Sequence, residues 1–385
     1  MRFELTDEEE MIREAARRIA AGRLAPLAAT LDAGGGRDDM LANLKALAAN
    51  GFMALNVKAE YGGAQAGTVA LALAIEELGY ACAATTVAAS VTNMVGEVIQ
   101  AVGSEEQRRA YLPRIADGTY AAAAFCLTES GAGSDPAAMT VRARREGNGW
   151  VLQGTKLYIS SAEFAGLFVV WAVTDPDAPK GKGISCFLVE RDAPGLVIGK
   201  AERKMGQVGS ATNAVHFERC RLPADAVMGR ENDGFRIAVG ELAGGRIGVA
   251  ALSLGIARAA MDAAKAYVIE RRQFGQAIAE FQGVQWMIAD REVDLEAARL
   301  LTLRAAHLKD ERKPFAKAAS MAKLFASEAA HRCTDTALQL HGGAGYLKDY
   351  PVERYARDAR VTRIYEGTSE IQRLIIARET LRELS

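Results

Sequence analysis

The sequence is poor in the residues that build cross-links and metal sites. Its 385 residues include five cysteines and four histidines. Cys82, Cys126, Cys186, Cys220 and Cys333 are odd in number, widely scattered and form no C-x-x-C pair. That argues against a disulfide framework and a zinc site, and suits a reducing compartment. No H-E-x-x-H or similar spacing occurs, so no metal is expected. His216 falls in a strand-like run, and His307 and His331 in helical ones, where packed or surface histidines are the ordinary reading. Excess charge is missing too: 47 Lys plus Arg face 48 Asp plus Glu, a net charge of -1. Such a balance gives no general attraction to nucleic acid or anionic membrane, so any anionic ligand is held locally. No G-x-G-x-x-G spacing is present, which disfavours the usual dinucleotide fold. Leu78 to Gly96 carries no charge, but its threonines, Ser90, Asn93 and Gly96 make it a buried helix rather than a membrane span. A signal or transit pattern is lacking as well. Leu5-Thr6-Asp7-Glu8-Glu9 reads at once as a capped, acidic first helical turn, and a cytoplasmic protein is expected.

Apolar residues are plentiful, at 50% by count, and the chain exceeds the ~250 to 300 residues at which one core stops growing. The pattern is helical from Thr6 to about Gly118. Seven short runs rich in β-branched and aromatic residues follow: Ala121 to Leu127, Thr140 to Arg145, Trp150 to Gln153, Lys156 to Ser160, Leu167 to Thr174, Ile184 to Glu190 and Asn213 to Glu218. Helical periodicity returns after Gly234, over roughly Phe235 to Glu270, Gln282 to Asp310 and Pro314 to Leu340, with a last helix near the C-terminus. The expectation is an α+β chain of three domains: helical over 1–118, a small antiparallel β-barrel or sandwich over 119–232, and a four-helix bundle over 233–385.

The stretch richest in chemistry is Arg363-Ile364-Tyr365-Glu366-Gly367-Thr368-Ser369-Glu370-Ile371-Gln372. Ser369 and Gln372 have capping-box spacing, so Glu366 stands just before a helix whose free amides favour polar or anionic ligand groups. Gly367 lets the backbone approach a ligand closely. On position alone, an ordinary acidic residue near a helix start is the better reading. Leu127-Thr128-Glu129-Ser130-Gly131-Ala132-Gly133-Ser134-Asp135 follows directly on an apolar strand and could expose several amides to a flat or anionic ligand, although most such runs are turns.

Together with Glu270-Arg271-Arg272-Gln273-Phe274-Gly275 and Gln339-Leu340-His341-Gly342-Gly343-Ala344-Gly345, these stretches resemble, in order and spacing, the signature set of the acyl-CoA dehydrogenases. The resemblance covers nearly the whole chain. It implies the acyl-CoA dehydrogenase fold, non-covalent FAD, and oxidation of the Cα–Cβ bond of an acyl-CoA thioester to the trans-2-enoyl-CoA. Glu366 is then the base that removes the α-proton while the β-hydrogen leaves as hydride to flavin N5. Phe125, Leu127, Thr128 and Ser134 would line the flavin, with Ser134 and Gly367 also near substrate. Tyr158, Ile159 and Ser160 would meet the isoalloxazine, Tyr158 standing where many members have tryptophan. Arg271, Phe274, Gln282, Gln339 and Gly343 resemble residues that reach the FAD of a neighbouring subunit, with Arg271 suited to pyrophosphate. Thr368 and Glu370 match FAD-contacting positions. Arg246 matches a position near CoA, where Ala243 departs from the Asn or Asp of many relatives.

The base at Glu366, with Gly245 where other branches carry it, makes long-chain and isovaleryl-type branches less favoured. Gly103-Ser104-Glu105-Glu106-Gln107-Arg108, Ser320-Met321-Ala322-Lys323 and Gly345-Tyr346-Leu347-Lys348 look closest to isobutyryl-CoA dehydrogenase, whose usual Leu-Glu-Gly-Ser is Tyr365-Glu366-Gly367-Thr368 here. A short acyl-CoA, straight or branched, is therefore expected, with an electron-transferring flavoprotein as acceptor and a homotetramer as the assembly. The rivals are an acyl-CoA oxidase using O₂, disfavoured because the chain lacks the larger oxidases' C-terminal extension, and a nucleic-acid-binding flavin relative, which should show a basic patch.

Overall fold

A computed structural model describes residues 4–383, so the outermost limits of the expected first and third domains, residues 1–3 and 384–385, lie outside the described residues. Six helices come first: α1 (Asp7–Ile19), α2 (Ala28–Asp32), α3 (Arg37–Ala49), α4 (Thr68–Ala81), α5 (Ala83–Val102) and α6 (Glu105–Ala116). The expected first turn is there: Glu9 N–H donates to Thr6 Oγ1 (3.2 Å) and Thr6 N–H to Glu9 Oε2 (2.7 Å), a reciprocal capping box. The uncharged run from Leu78 is two helices rather than one. Cys82 is extended (φ -155°, ψ 99°) and ends α4 where α5 begins; no proline or glycine at that position announces the break.

The middle of the chain forms one eight-stranded sheet: β1 (Ala122–Cys126), β2 (Arg142–Glu146), β3 (Gly149–Ser160), β4 (Ala165–Val173), β5 (Ile184–Glu190), β6 (Leu196–Ala201), β7 (Thr212–Leu222) and β8 (Val227–Met228). The order is β6-β7-β3-β2-β4-β5-β8, with β1 paired to β4 off that path. The sheet is antiparallel, as expected, except where β1 and β2 meet β4, and it stays open rather than closing into a barrel. β1 and β2 each run parallel to β4, which the intervening strands allow by supplying the long connection that parallel pairing needs. The two runs on either side of Gly154 are one bulged strand, β3, whose register against β7 shifts between Leu152 and Gly154 and again between Lys156 and Ile159.

The C-terminal helices are α7 (Gly234–Glu270), α8 (Gln282–Asp310), α9 (Ala316–His341), α10 (Val352–Arg360) and α11 (Ser369–Arg382). α7, α8 and α9 pack pairwise, and α10 and α11 lie on α9. Between α7 and α8 a two-residue turn joins β9 (Arg272–Gln273) to β10 (Gln276–Ala277), with Phe274 and Gly275 both at positive φ, as a tight hairpin requires. α7 is long and apolar enough to cross a membrane, but most of its apolar window is buried in this bundle. One apolar cluster joins Val69, Leu73 and Ile75 of α4 to Ile247, Leu254 and Met261 of α7 and to Ala319, Ala322 and Ala326 of α9. At its centre α4 and α7 nearly touch: a Cβ at Gly255 would lie 2.3 Å from the Glu76 carbonyl. The helices flanking the sheet thus share a core, and the cleft between them and the sheet holds the candidate site.

Candidate active site

Two adjoining cavities, of about 550 and 640 Å³, share Thr128, Gly133, Ser134, Tyr158, Ser160, Tyr365, Glu366 and Gly367 as lining. The first continues between α5 and α7 along Val91, Met94, Val249 and Leu252, and along α11 at Leu374 and Arg378, with Val87 lining both cavities. The second runs between the sheet and the start of α11, along Lys204, Ser210, Thr212 and Thr368.

Glu366 is the chemical centre. It has positive φ (55°), unusual for a residue with a Cβ, and Gly367 follows at 90°. Its Oε2 is sealed from solvent without a hydrogen-bond partner among the described residues. Burial pushes the carboxyl up to about 7, against the opposing pull of Arg246 and Lys323. Donors brace the turn from behind. Lys323 Nζ donates to Gly367 O (2.8 Å), and Gln372 Nε2 to Glu366 O (3.1 Å) and Gly367 O (2.9 Å). Arg246 Nε approaches Glu366 O at 3.5 Å. Arg246 is thus 6% exposed and turned onto the base-bearing turn, while still lining the first cavity. The helix cap is one residue earlier than the Ser369 spacing suggested. Thr368 is extended and its Oγ1 accepts from Ile371 N–H (3.3 Å), leaving Ser369 to donate to Glu328 (2.8 Å) and Gln372 to turn back.

The facing helix leaves room for this carboxyl. A Cβ at Gly245 would stand 2.9 Å from Glu366 Oε2 and 2.7 Å from Met94 Sδ. Gly245→Ala is accordingly expected to displace the carboxyl and lower turnover about 10-fold to 100-fold, the scale of a 1 Å misplacement, with the thermal midpoint little changed. Steady-state kinetics beside a melting curve would check this, and unchanged turnover would show that the contact is absorbed by Met94.

The sheet supplies the opposite wall. The β3 bulge puts Tyr158 at positive φ (58°) and leaves its ring 66% exposed inside the cleft, while Ile159 is buried. Thr128, Ser134 and Ser160 bring hydroxyls to the same surface, and a Cβ at Gly133 would meet nothing within 4 Å. The Leu127–Val141 loop is pinned by a buried ion pair. Lys156 Nζ, on β3, donates to Glu129 Oε1 (2.8 Å) and Leu127 O (2.9 Å), and Glu129 also accepts from Thr140 N–H (2.6 Å) and Val141 N–H (3.0 Å). Burial drives the Glu129 carboxyl up, but Lys156 and Thr140 outweigh it and hold it below its ordinary range. A second tie crosses from the sheet side to the base. Gln207 N–H donates to Asp358 Oδ1 on α10, and its Nε2 to Asp358 O (3.1 Å) and the Tyr365 hydroxyl (3.3 Å).

Phe125, Leu127, Thr128, Ser134, Tyr158, Ile159, Ser160, Arg246, Glu366, Gly367 and Thr368 therefore gather at this cleft. Glu370 is exposed on α11 and lines neither cavity. Arg271, Phe274, Gln282, Gln339 and Gly343 lie away from it: Phe274 is 94% exposed at the hairpin tip, and Arg271 borders a separate cleft with Tyr267, His341 and Tyr350. Sequence reading passed over Lys323, Lys156 and Lys204, and took Gln372 only as a capping partner. The signal that could have found Lys323 is a single cation on the alanine-rich face of α9. Among the described residues, no group of His, Cys, Asp or Glu is placed to hold a metal ion.

A flat, polar group fits this cleft. An exposed aromatic face, a glycine-floored loop, several hydroxyls and the buried, unpartnered Ser210 Oγ meet there, beside the Lys204 ammonium, which burial brings down to about 8. Three family models match the chain: "Acyl-CoA dehydrogenase, N-terminal domain" over residues 6–119, "middle domain" over 124–220 and "C-terminal domain" over 232–381. It is 45% identical to the acryloyl-CoA reductase (NADH) of Anaerotignum propionicum (99% of this chain, 96% of that protein). It is 45% identical to the human mitochondrial short-chain specific acyl-CoA dehydrogenase (98% and 91%) and 43% to the rat short/branched chain specific one (97% and 85%). Among solved structures it resembles a chain described under the electron transferring flavoprotein of Acidaminococcus fermentans (TM-score 0.96, 42% identity, 99% of this chain and 100% of that). It likewise resembles an acyl-CoA dehydrogenase complexed with FAD from Bacillus anthracis (TM-score 0.94, 30% identity, 99% and 68%).

Proposed function

This chain belongs to the acyl-CoA dehydrogenase family and is an FAD-dependent oxidoreductase acting on acyl-CoA thioesters, and from that premise we propose that it takes a short acyl group, straight or singly branched, with Glu366 as its base. The observation that carries the proposal is the Glu366 carboxyl, held without a partner and poised near neutrality at the junction of an apolar cavity and a hydroxyl-lined one. A proton beside a thioester is weakly acidic, and its removal calls for a desolvated carboxylate of raised pKa. The acyl group lies along Met94, Val249 and Leu252, with its α-carbon toward Glu366, and the Glu366 amide donates to the thioester oxygen where charge develops. FAD, when bound, supplies the two-electron acceptor for the β-hydrogen. Phe125, Leu127, Thr128, Ser134, Tyr158, Ile159, Ser160 and Thr368 hold it from this chain. Arg271, Phe274, Gln282, Gln339 and Gly343, exposed or remote from the cleft, serve the FAD of another copy, which calls for at least a dimer and agrees with the homotetramer implied by the family resemblance.

The resemblance to the chain described with an electron transferring flavoprotein supports such a protein as the electron acceptor. Five free, buried cysteines support a reducing, cytoplasmic setting. The likeness to an acryloyl-CoA reductase favours a second reading, in which the same site runs in reverse and Glu366 returns a proton to the α-carbon. Anaerobic titration separates them. Butyryl-CoA or isobutyryl-CoA should bleach the flavin band fastest among saturated thioesters. Bleaching by NADH, with none by any saturated acyl-CoA, would establish the reductive reading instead.

A further inference from the structure

Behind the base-bearing turn runs one face of α9. Ser320 Oγ meets Arg246 Nη1 (3.5 Å), Lys323 Nζ meets Gly367 O (2.8 Å), and Glu328 Oε1 accepts from Arg363 Nε (3.0 Å) and Ser369 Oγ (2.8 Å). Within this row Lys323 stands apart. Its side chain is 0% exposed, yet among the described residues its only hydrogen bond is to a backbone carbonyl. A fully buried ammonium without a carboxylate in hydrogen-bond contact is costly, and such a group persists where its surroundings use the charge. The charges that face it are Glu366 on the turn, Arg246 on α7, Glu328 on α9 and Glu370 on α11. Glu328 is already engaged by Arg363 and Ser369, Glu370 is largely exposed, and Arg246 repels it. Glu366, whose Oε2 has no hydrogen-bond partner among the described residues, is left as the carboxylate that the charge serves.

We propose that Lys323 is a positioning residue for the Glu366 carboxylate: lodged under the Glu366–Gly367 turn, its ammonium locks the left-handed backbone through Gly367 O and supplies the positive charge against which the carboxylate ionises. The backbone part follows from geometry. Glu366 and Gly367 occupy successive positive-φ conformations, and the first carries a strain that its surroundings must over-determine. Three side chains from three helices converge on the two carbonyls of that turn, and Lys323 makes the shortest of those bonds. The electrostatic part agrees with the acidities. Burial brings Lys323 down to about 8 while Glu366 holds its proton affinity up, so below that pH the lysine is the cation that favours ionised Glu366. No other role assigned above uses this lysine.

The inference rests on Glu366 being the base, and the experiment separates the two claims. The pH dependence of kcat/KM is measured for the FAD-loaded wild type, Lys323→Met, Lys323→Gln and Lys323→Arg. Beside it, the Glu366 carboxyl is titrated by carbon NMR of glutamate-labelled enzyme, its signal identified by difference from Glu366→Gln. Loss of the charge in the Met and Gln variants should move the acid limb and the carboxyl titration upward by about 1 pH unit, with Arg moving them least. Lys323→Gln, which keeps a donor for Gly367 O, should retain more of the high-pH plateau than Lys323→Met. If Lys323→Met does not fold, the Gln and Arg variants carry the comparison. An unshifted limb and titration, with Glu366→Gln inactive, would overturn the role of Lys323 and leave the base in place. Normal turnover in Glu366→Gln would remove the base assignment itself and this inference with it.

Discussion

Glu366→Gln should keep the fold and bind FAD yet lose turnover by about 10²-fold to 10⁴-fold, the range that a positioned general base contributes. In the wild type, activity should rise with pH through about 7, because only the ionised carboxylate can accept the proton. The same group makes a stability prediction of opposite sense. Its folded acidity lies above the ordinary 4.5, so the native state prefers the protonated form. The stabilisation linked to that proton is full below about 4.5 and is lost as pH rises through about 7. A neutral glutamine of the same shape escapes the loss, and above pH 7 it should be more stable than wild type by an amount on the order of 3 kcal/mol. Denaturant unfolding at pH 5 and pH 8 tests this: the two proteins should be similar at the lower pH and diverge at the higher. Equal stability at both would mean that water reaches the carboxyl and relieves its burial.

Lys156→Met should strongly destabilise the sheet. It strands the Glu129 carboxylate, 5% exposed, without its cation, and breaking a buried pair from one side typically costs about 3 to 5 kcal/mol. The Leu127–Val141 loop should loosen with it, weakening FAD binding as well. Adding Glu129→Gln should recover part of the loss, since the amide carries no unpaired charge and its one oxygen can still accept from either the Thr140 or the Val141 amide, though not from both. The measurement is the urea midpoint of both variants and wild type in the apo form, at constant m-value. A Lys156→Met protein within about 0.5 kcal/mol of wild type would show that the pair contributes little.

These two lysines also mark where the sequence stopped being legible. The local signals were good: the strand Ile184–Glu190 has the limits its residue pattern suggests, and the first helix begins at the cap expected. β6 was missed because Leu196–Ala201 is half exposed and contains Gly199 and Lys200. β3 looked like two strands because Gly154 and the register shifts interrupt its alternation. At the site, the residues named from motifs along β1, the following loop, β3 and the last turn do come together. Lysine at 156 or 323 instead reads as surface, because charge is ordinarily solvated. Only partners 27 and 44 residues away in the chain make those positions internal. Arg271 and Phe274 are a different matter: they were named from a motif, and the fold sets them on the hairpin between α7 and α8, away from the cleft.

The tie from Gln207 to Asp358 and Tyr365 bears on how ligands come and go. It fastens the loop between β6 and β7 to the turn that carries the base, so parting the two walls of the cleft would break these bonds and disturb Tyr365 and, next to it, Glu366. Val239, Leu374 and Arg378 are exposed at the rim of the first cavity, so a ligand entering beside them meets a wall held by this tie.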